Sequence, residues 1–278
     1  MDEAVTNLQA NLVQGNLDGP VEREQEAPPA VWHWIPEYTA SGALQMATDI
    51  GLLEQLIQGK QPPTLRFYRW SPVAISLGYH QKQWPDYWRS LTWQGQPVEI
   101  VRRPTGGRAV LHQGDLTYAV VMPMSGQRRQ DWYQTLCDAL IEAWAQLGVT
   151  LQYGTAGRGY RDKTNCFDLA TAADLVTPTG YKLVGSAQLR RDRYLLQHGS
   201  IRLWPDPQLY AQVFGQESSL LEPPKAIPKR GNQSWLDKLS SLIVQELERS
   251  LNISVQTASF STENMAEIKS QEASFQIT

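Results

Sequence analysis

The stretch VRRPTGGRAVLHQGDLTYAVV, Val101–Val121, sets two arginines, a proline, two adjacent glycines and a histidine between a β-like run and a second, alternating one. Gly106 and Gly107 can take a positive φ without steric cost, which accounts for a tight turn. It does not account for the crowding of Arg102, Arg103, Arg108 and His112 around that turn. Backbone that must come close to something, flanked by cations, points to a site for an acidic or carbonyl-bearing ligand. Past the turn, Leu116, Tyr118 and Val120 alternate as one face of a strand, and before it PVEIVRR reads as another.

Working outward, the pattern is rich in hairpins. TLRFYRWSPVAISLGYHQ reads as two strands around Pro72, and DLVTPTGYKLVGSAQLRRDRYLLQHGSIRL as a hairpin turning at Pro178–Gly180 followed by a second around Arg191 and Asp192. Met46, Ile50, Leu53 and Ile57 recur at helical spacing behind Ser41, so Gly42–Gln58 is expected to be a helix with Ser41 as its N-cap. Tyr133, Leu136, Cys137, Leu140, Ile141, Trp144 and Leu147 mark a second apolar stripe, ending at Gly148. Leu236, Leu239, Ile243 and Leu247 mark a third, over Trp235–Leu251. PDPQLY and EPPKAIPKRG read as connectors. Residues 1–29 are polar and poor in apolar side chains, and residues 259–278 resemble them, so both are expected to be mobile tails on an ordered domain over 30–258.

Composition excludes several classes. A chain of 278 residues with 41% hydrophobic and 19% charged side chains reads as soluble and globular, and a formal charge of −3 gives no electrostatic case for nucleic acid or a membrane surface. No apolar run approaches the length of a bilayer span. Two cysteines cannot build a disulfide framework, and no signal-peptide pattern opens the chain, so a reducing, cytoplasmic setting is expected.

Candidate chemistry lies in two distant segments: the arginine-glycine turn, and KLVGSAQ with LQHGS over Lys182–Ser200. Between them RDKTNCFD places Cys166 in a polar loop beside Lys163, a cation that favours the thiolate. Cys137 instead lies on an apolar helical stripe, where a free thiol acts as a small hydrophobe. Taken singly, each candidate has an ordinary reading: Cys166 as an incidental loop residue, His112 and His198 as turn histidines, Lys182 as a solvated lysine.

In combination they resemble a known family. RRPTGGRAVLHQGDLTY is similar to the signature of the biotin and lipoate protein ligase superfamily, in its lipoate and octanoate branch. KLVGSAQLRRDRYLLQHGSI is similar to that family's second motif, which carries an active-site lysine. With NCFD upstream, the resemblance is to the cysteine-dependent octanoyltransferases of the LipM type, dense from Trp34 to Leu203 and absent from both tails. It implies an α/β fold, a mixed and largely antiparallel sheet flanked by helices, which the hairpins support.

The resemblance also implies roles. Cys166 becomes the acyl acceptor and Lys182 the contact to the acyl carbonyl or thioester. Arg103, Gly106, Gly107, Arg108, Ala109 and His112 become the wall of the acyl pocket, with Gly185, Ser186 and Ala187 lining it from the other hairpin and His198, Gly199 and Ser200 nearby. Small residues leave an acyl chain its slot, and backbone amides with an ammonium supply donors where oxyanion charge develops. The implied reaction passes an octanoyl group from acyl carrier protein through a cysteine thioester to a lysine of a lipoyl domain, such as the glycine cleavage H protein or a 2-oxo acid dehydrogenase subunit. It needs no cofactor and no metal, and a monomer suffices. His112 and His198 both remain candidates for taking the proton of the incoming lysine.

Three other readings stand beside it. An ATP-dependent lipoate ligase is the first alternative, against which stand Arg108, where such ligases carry a third glycine, and Cys166. GTAGRGY, Gly154–Tyr160, echoes the glycine-arginine loop of a biotin ligase, without a matching continuation. A non-catalytic acyl-binding protein would have no need of Cys166 together with Lys182.

Overall fold

The computed structural model describes residues 28–126, 128–154, 174–215 and 222–277. In chain order its elements are β1 (Ala30–Ala40), α1 (Gly42–Ile57), β2 (Thr64–Trp70), β3 (Ala74–Leu77), β4 (Thr92–Trp93), β5 (Gln96–Pro97), β6 (Glu99–Arg102), β7 (Val110–His112), β8 (Asp115–Pro123), α2 (Arg129–Ala145), β9 (Gln152–Tyr153), β10 (Asp174–Val176), β11 (Lys182–Arg191), β12 (Tyr194–Arg202), α3 (Pro207–Phe214), α4 (Gln233–Leu251), β13 (Ile253–Thr257) and α5 (Thr262–Ser270).

Eight strands form one sheet in the order β13-β1-β2-β8-β12-β11-β10-β9. β1 runs parallel to both β13 and β2, and every other pairing in that sheet is antiparallel. The helix between β1 and β2 makes this parallel step possible, because adjacent parallel strands need a crossover. Alternation then assigns the faces. Leu65 and Phe67 of β2, and Leu116, Tyr118 and Val120 of β8, meet Leu136, Leu140 and Trp144 of α2 and Leu239, Ile243 and Leu247 of α4 on one side. Tyr68, Ala119, Val121 and Leu196 meet Met46, Ile50 and Leu53 of α1 on the other. Buried on both faces, β8 reads as a nearly continuous apolar run.

A smaller sheet, β6-β3-β7, carries the arginine-glycine turn between β6 and β7 and has its own core, in which Ile75, Leu77, Trp88 and Leu111 pack with Leu209 and Val213 of α3. α1 begins where expected. Ser41 Oγ accepts from the Leu44 amide at 3.2 Å, and the Glu99 carboxylate of β6 accepts from the amides of Gly42 and Ala43 at 2.6 and 3.0 Å. An anion at a helix N-terminus satisfies its orphan donors, so this contact joins the two sheets.

Two expectations are corrected. PDPQLY is not a connector. Asp206 Oδ1 accepts from the amides of Gln208 and Leu209 at 2.9 and 3.0 Å, and Pro207 takes the first helical position, so the segment opens α3. Residues 259–277 are not a mobile tail either. α5 is ordered by one apolar anchor, fully buried Ile268, whose Cγ1 would stand 2.6 Å from a Cβ built on Gly51 of α1. A 3₁₀ turn over Glu272–Phe275 follows, and Gln276 bridges to Val101 of β6. The tail expected over residues 1–29 lies outside the described residues up to residue 27.

Beneath α1 lies a fully buried ion pair. Arg66 of β2 gives Nε and Nη2 to Asp49 Oδ1 at 2.9 and 2.7 Å, Nη1 to Tyr38 Oη and Gln45 Oε1, and Nη2 also to the Gln45 carbonyl. Asp49 Oδ2 accepts from Tyr68 Oη at 2.9 Å. Removing one partner of a buried pair leaves the other charge uncompensated, at about 3–5 kcal/mol. Arg66→Ala is therefore expected to lower the free energy of unfolding by roughly that amount, read from urea denaturation; a loss below about 1 kcal/mol, the level of an exposed pair, would contradict it.

Candidate functional site

Antiparallel pairing of β8, β12 and β11 brings the two sequence motifs to one place. Asp115 stands opposite Arg202, and Gly185, Ser186 and Ala187 stand opposite Ser200, Gly199 and His198. Where the strands meet the arginine-glycine turn, a cavity of about 730 Å³ opens. The turn contributes Arg103, Gly106, Gly107 and His112 to its wall, and the hairpin contributes Lys182, Gly185, Ser186, Ala187, His198, Gly199 and Ser200. Two expected wall residues do not line it. Ala109 points into the core of the small sheet, and half-buried Arg108 turns its carbonyl to Arg103 Nη2 at 2.6 Å. Cys166 lies outside the described residues.

The turn is built for close approach. Arg103 is itself buried and gives Nε and Nη2 to the Gly106 carbonyl and Nη1 to the Ser76 carbonyl and hydroxyl, so its guanidinium braces the loop from within. Gly107 takes φ 97°, and a Cβ on the neighbouring Gly78 would stand 1.9 Å from the Gly107 carbonyl oxygen. Neither position admits a side chain.

Lys182 Nζ lies 2.9 Å from Asp174 Oδ1, and both side chains are buried. The pairing follows from register. Asp174 stands opposite Gly185, and a Cβ on Gly185 would come 3.2 Å from Lys182 Cε, so the glycine leaves the lysine its path to the carboxylate. A buried ammonium in the wall of an apolar-sided cavity is a fixed positive donor, able to stabilise an oxyanion where a carbonyl is attacked.

Two hydroxyl–imidazole–carboxylate rows back the cavity. In one, Ser76 Oγ is 2.8 Å from His112 Nε2, and His112 Nδ1 is 2.8 Å from Asp115 Oδ2. Burial holds the His112 imidazole below its ordinary value, outweighing the opposite pull of Asp115. The ring stacks on Trp70 with centroids 3.7 Å apart, and Trp70 Nε1 is pinned to Thr117 Oγ1 at 2.8 Å. In the other row, Thr105 Oγ1 is 2.6 Å from His198 Nε2, and His198 Nδ1 is 2.7 Å from Asp49 Oδ2. Burial pushes the Asp49 carboxyl up, but Arg66 and the hydrogen bond to His198 outweigh it and hold it below the ordinary carboxylate value.

Cys137 sits on α2 where the helical stripe puts it. Burial pushes its thiol up to about 12, against a hydrogen bond from Tyr133, so it is neutral at physiological pH. Sequence reading missed Asp49, Arg66, Ser76, Trp70, Asp115 and Asp174. Asp49 and Arg66 carry a usable signal: each is a charge set inside an apolar run, which burial permits only with a partner. Asp115, three residues after His112 and next to the turn, carries a weaker one.

Comparison with known proteins gives matches in sequence and in fold. Residues 41–255 match the model of the lipoyl protein ligase A/B catalytic domain. The chain is 36% identical over 196 residues to an octanoyltransferase LipM of Anoxybacillus flavithermus, covering 66% of this chain and 69% of that protein. It is 35% identical over 196 residues to an octanoyltransferase LipM of Geobacillus kaustophilus, with the same two coverages. Among solved structures, the T. acidophilum protein Ta0514 with bound lipoic acid shares the fold with a TM-score of 0.70 at 18% identity, over 89% of this chain and 96% of that one.

The β11–β12 wall should be intolerant of volume. A Cβ on Gly199 would stand 2.6 Å from both Ser186 Oγ and Tyr118 Cε1, whose hydroxyls bond each other at 2.8 Å. Overpacking of this kind costs about 1–3 kcal/mol, so Gly199→Ala is expected to lose that much stability in chemical denaturation. An unchanged unfolding midpoint would show that the wall yields.

Proposed function

This chain belongs to the lipoyl protein ligase A/B catalytic-domain family, and we propose that within it the chain is an octanoyltransferase. It moves an octanoyl group from the thioester of acyl carrier protein to Cys166 and then to a lysine amine on a lipoyl domain. The observation that carries this reading is buried Lys182, held by Asp174 in the wall of a cavity whose glycine-rich sides admit an acyl chain. At about 730 Å³ the cavity falls inside the range of about 300–1,000 Å³ usual for small-molecule sites.

The chemistry follows in two halves. The Cys166 thiolate attacks the incoming thioester carbonyl, the Lys182 ammonium faces the oxygen on which charge develops, and the carrier thiol leaves. The acyl-enzyme is itself a thioester, so the chain stays activated and the second attack, by the acceptor amine, needs no nucleotide. Of the two cysteines, buried Cys137 stays protonated, which leaves Cys166 to supply the thiolate. A free nucleophilic thiol suits a reducing, cytoplasmic setting.

Incubated with octanoyl carrier protein and no nucleotide, the protein is expected to gain one octanoyl mass that hydroxylamine removes. Cys166→Ser should abolish that labelling, while Cys137→Ser should keep it at a stability cost of about 1–3 kcal/mol for the buried hydroxyl. Strict dependence on ATP and magnesium, with full activity in Cys166→Ser, would replace this reading with the ligase. Lys182→Ala is expected to slow acylation by about 10²–10³ without unfolding the protein, measured by stopped-time mass spectrometry; near-normal turnover would remove Lys182 from the site.

A further inference from the structure

The cavity has two sides of different chemistry. Toward α1 and the small sheet its wall includes Met46, Tyr68, Trp70 and Val110, with His198 and Ser200 turned that way by their bonds to Asp49 and Asp115. Rings and aliphatic side chains there suit an acyl chain. Toward α2 the wall is polar: Ser186 and Gln188 of β11 stand there with Arg129, Gln130 and Gln134 from the opening turns of α2. An acyl chain has no polar atom beyond its carbonyl, so nothing in it calls for this second side.

A buried chain of side chains fixes the hydrogen-bond polarity of that side. Gln197 gives Nε2 to Tyr118 Oη at 2.8 Å and accepts at Oε1 from Gln188 Nε2 at 2.7 Å. Half-buried Gln188 thereby keeps its carbonyl oxygen as an acceptor for the cavity. Tyr118 already accepts from Gln197, so its one hydrogen goes to Ser186 Oγ, 2.8 Å away, because a buried hydroxyl that donates to nothing is costly. The Ser186 hydrogen is then left to donate outward. The two residues share a face of β11, roughly 6–7 Å apart along the strand, and Lys182 stands at the strand's start. A donor followed by an acceptor matches secondary amides, each of which carries both N–H and C=O.

Further out, the wall reaches solvent at exposed Arg129, in the first turn of α2. Arg128 and Asp131 pair with each other, Nη2 to Oδ1 at 3.1 Å, so the cation of this turn that lines the cavity is Arg129. The helix gains nothing from a cation at its N-terminus, where its own dipole favours an anion. Guanidinium and backbone donors together suit a phosphate.

We propose that the α2 side of the cavity is the subsite for the phosphopantetheine arm of the acyl donor. The inference rests on the octanoyl-transfer reading, which makes that donor a thioester. Outward from its sulfur the arm carries two amides in series and then a phosphate. Along β11 the order is the same: the thioester carbonyl lies toward Lys182, Ser186 meets the inner amide, Gln188 the outer one, and Arg129 the phosphate at the mouth. The acyl chain and the arm thus leave the carbonyl on opposite sides of β11.

The test uses octanoyl thioesters of increasing arm length, on N-acetylcysteamine, pantetheine and phosphopantetheine, and reads kcat/KM for acyl-enzyme formation by the full chain. Each extension of the arm is expected to raise it about three- to tenfold. Arg129→Ala should bring the ratio of phosphopantetheine to pantetheine donor near one, and Gln188→Leu should do the same for pantetheine over N-acetylcysteamine. Indifference of the wild-type protein to arm length overturns the proposal, a result that needs no variant to fold. So does equal slowing of all three donors in either variant, the mark of a merely structural role. Octanoyl carrier protein and octanoyl coenzyme A carry the same arm. The higher kcat/KM of the two identifies the source, and both must fall by the same factor in Gln188→Leu; a loss confined to one overturns the subsite. If no donor acylates the protein, the octanoyl-transfer reading fails, and calorimetry with phosphopantetheine bearing its free thiol judges the subsite separately. Binding that Arg129→Ala weakens then upholds it, and binding that is absent or unmoved overturns it.

Discussion

The site depends on a charge that cannot leave. Asp49 is fully buried under α1, and it stays ionised because Arg66, Tyr68 and His198 meet it from β2 and β12. Such a pair gains little net stability, since both ions gave up water to form it, but it is intolerant of imperfection. Every donor of Arg66 is used, on Asp49, Gln45 and Tyr38, so the helix and three strands share one set of positions. His198 inherits its orientation from this network and hands it to Thr105, whose carbonyl accepts from the Tyr79 amide at 2.8 Å. The arginine-glycine turn is thereby placed from α1, across the sheet.

Close backbone approach does the rest. The Gly107 carbonyl passes where a Cβ of Gly78 would be, and Arg103, itself in the cavity wall, holds the loop's carbonyls from inside. Expected as a ligand-facing cation, Arg103 is largely spent on backbone. The ammonium of Lys182, on the opposite wall and on a different strand, is held by Asp174. The two cations are thus separated, Arg103 fixing the turn and Lys182 standing in the opposite wall of the cavity.

Much of the fold was legible where local signals agree with tertiary ones. Ser41 caps α1, Leu116, Tyr118 and Val120 alternate on β8, and Pro178–Gly180 turns the chain between β10 and β11. The misses have physical reasons. Pro207 disguised α3, because proline marks both loops and first helical positions. α5 is polar in all but a few positions, and its order comes from Ile268 fitting against Gly51, a long-range contact that no local pattern announces. In the site, the glycines, His112, His198 and Lys182 could be read because they cluster within motifs. Asp49, Asp115 and Asp174 act through partners that are distant in sequence or hidden by hairpin register, and a lone carboxylate looks like any surface acid until the pairing is known.

The position of β1 bears on how this molecule folds. It pairs in parallel with β2 on one side and with β13 on the other, two strands separated by most of the chain. Until the chain beyond α4 has been made, one edge of β1 offers a row of open amides and carbonyls, with Trp32 and Ile35 among its side chains. Contacts so distant in sequence form late and slow the approach to the native state. An unpaired hydrophobic strand edge is also a template for the wrong partner. The β1–β13 pairing therefore makes the nascent chain, more than the finished enzyme, the state most exposed to aggregation, and makes closure of that edge the step at which the risk ends.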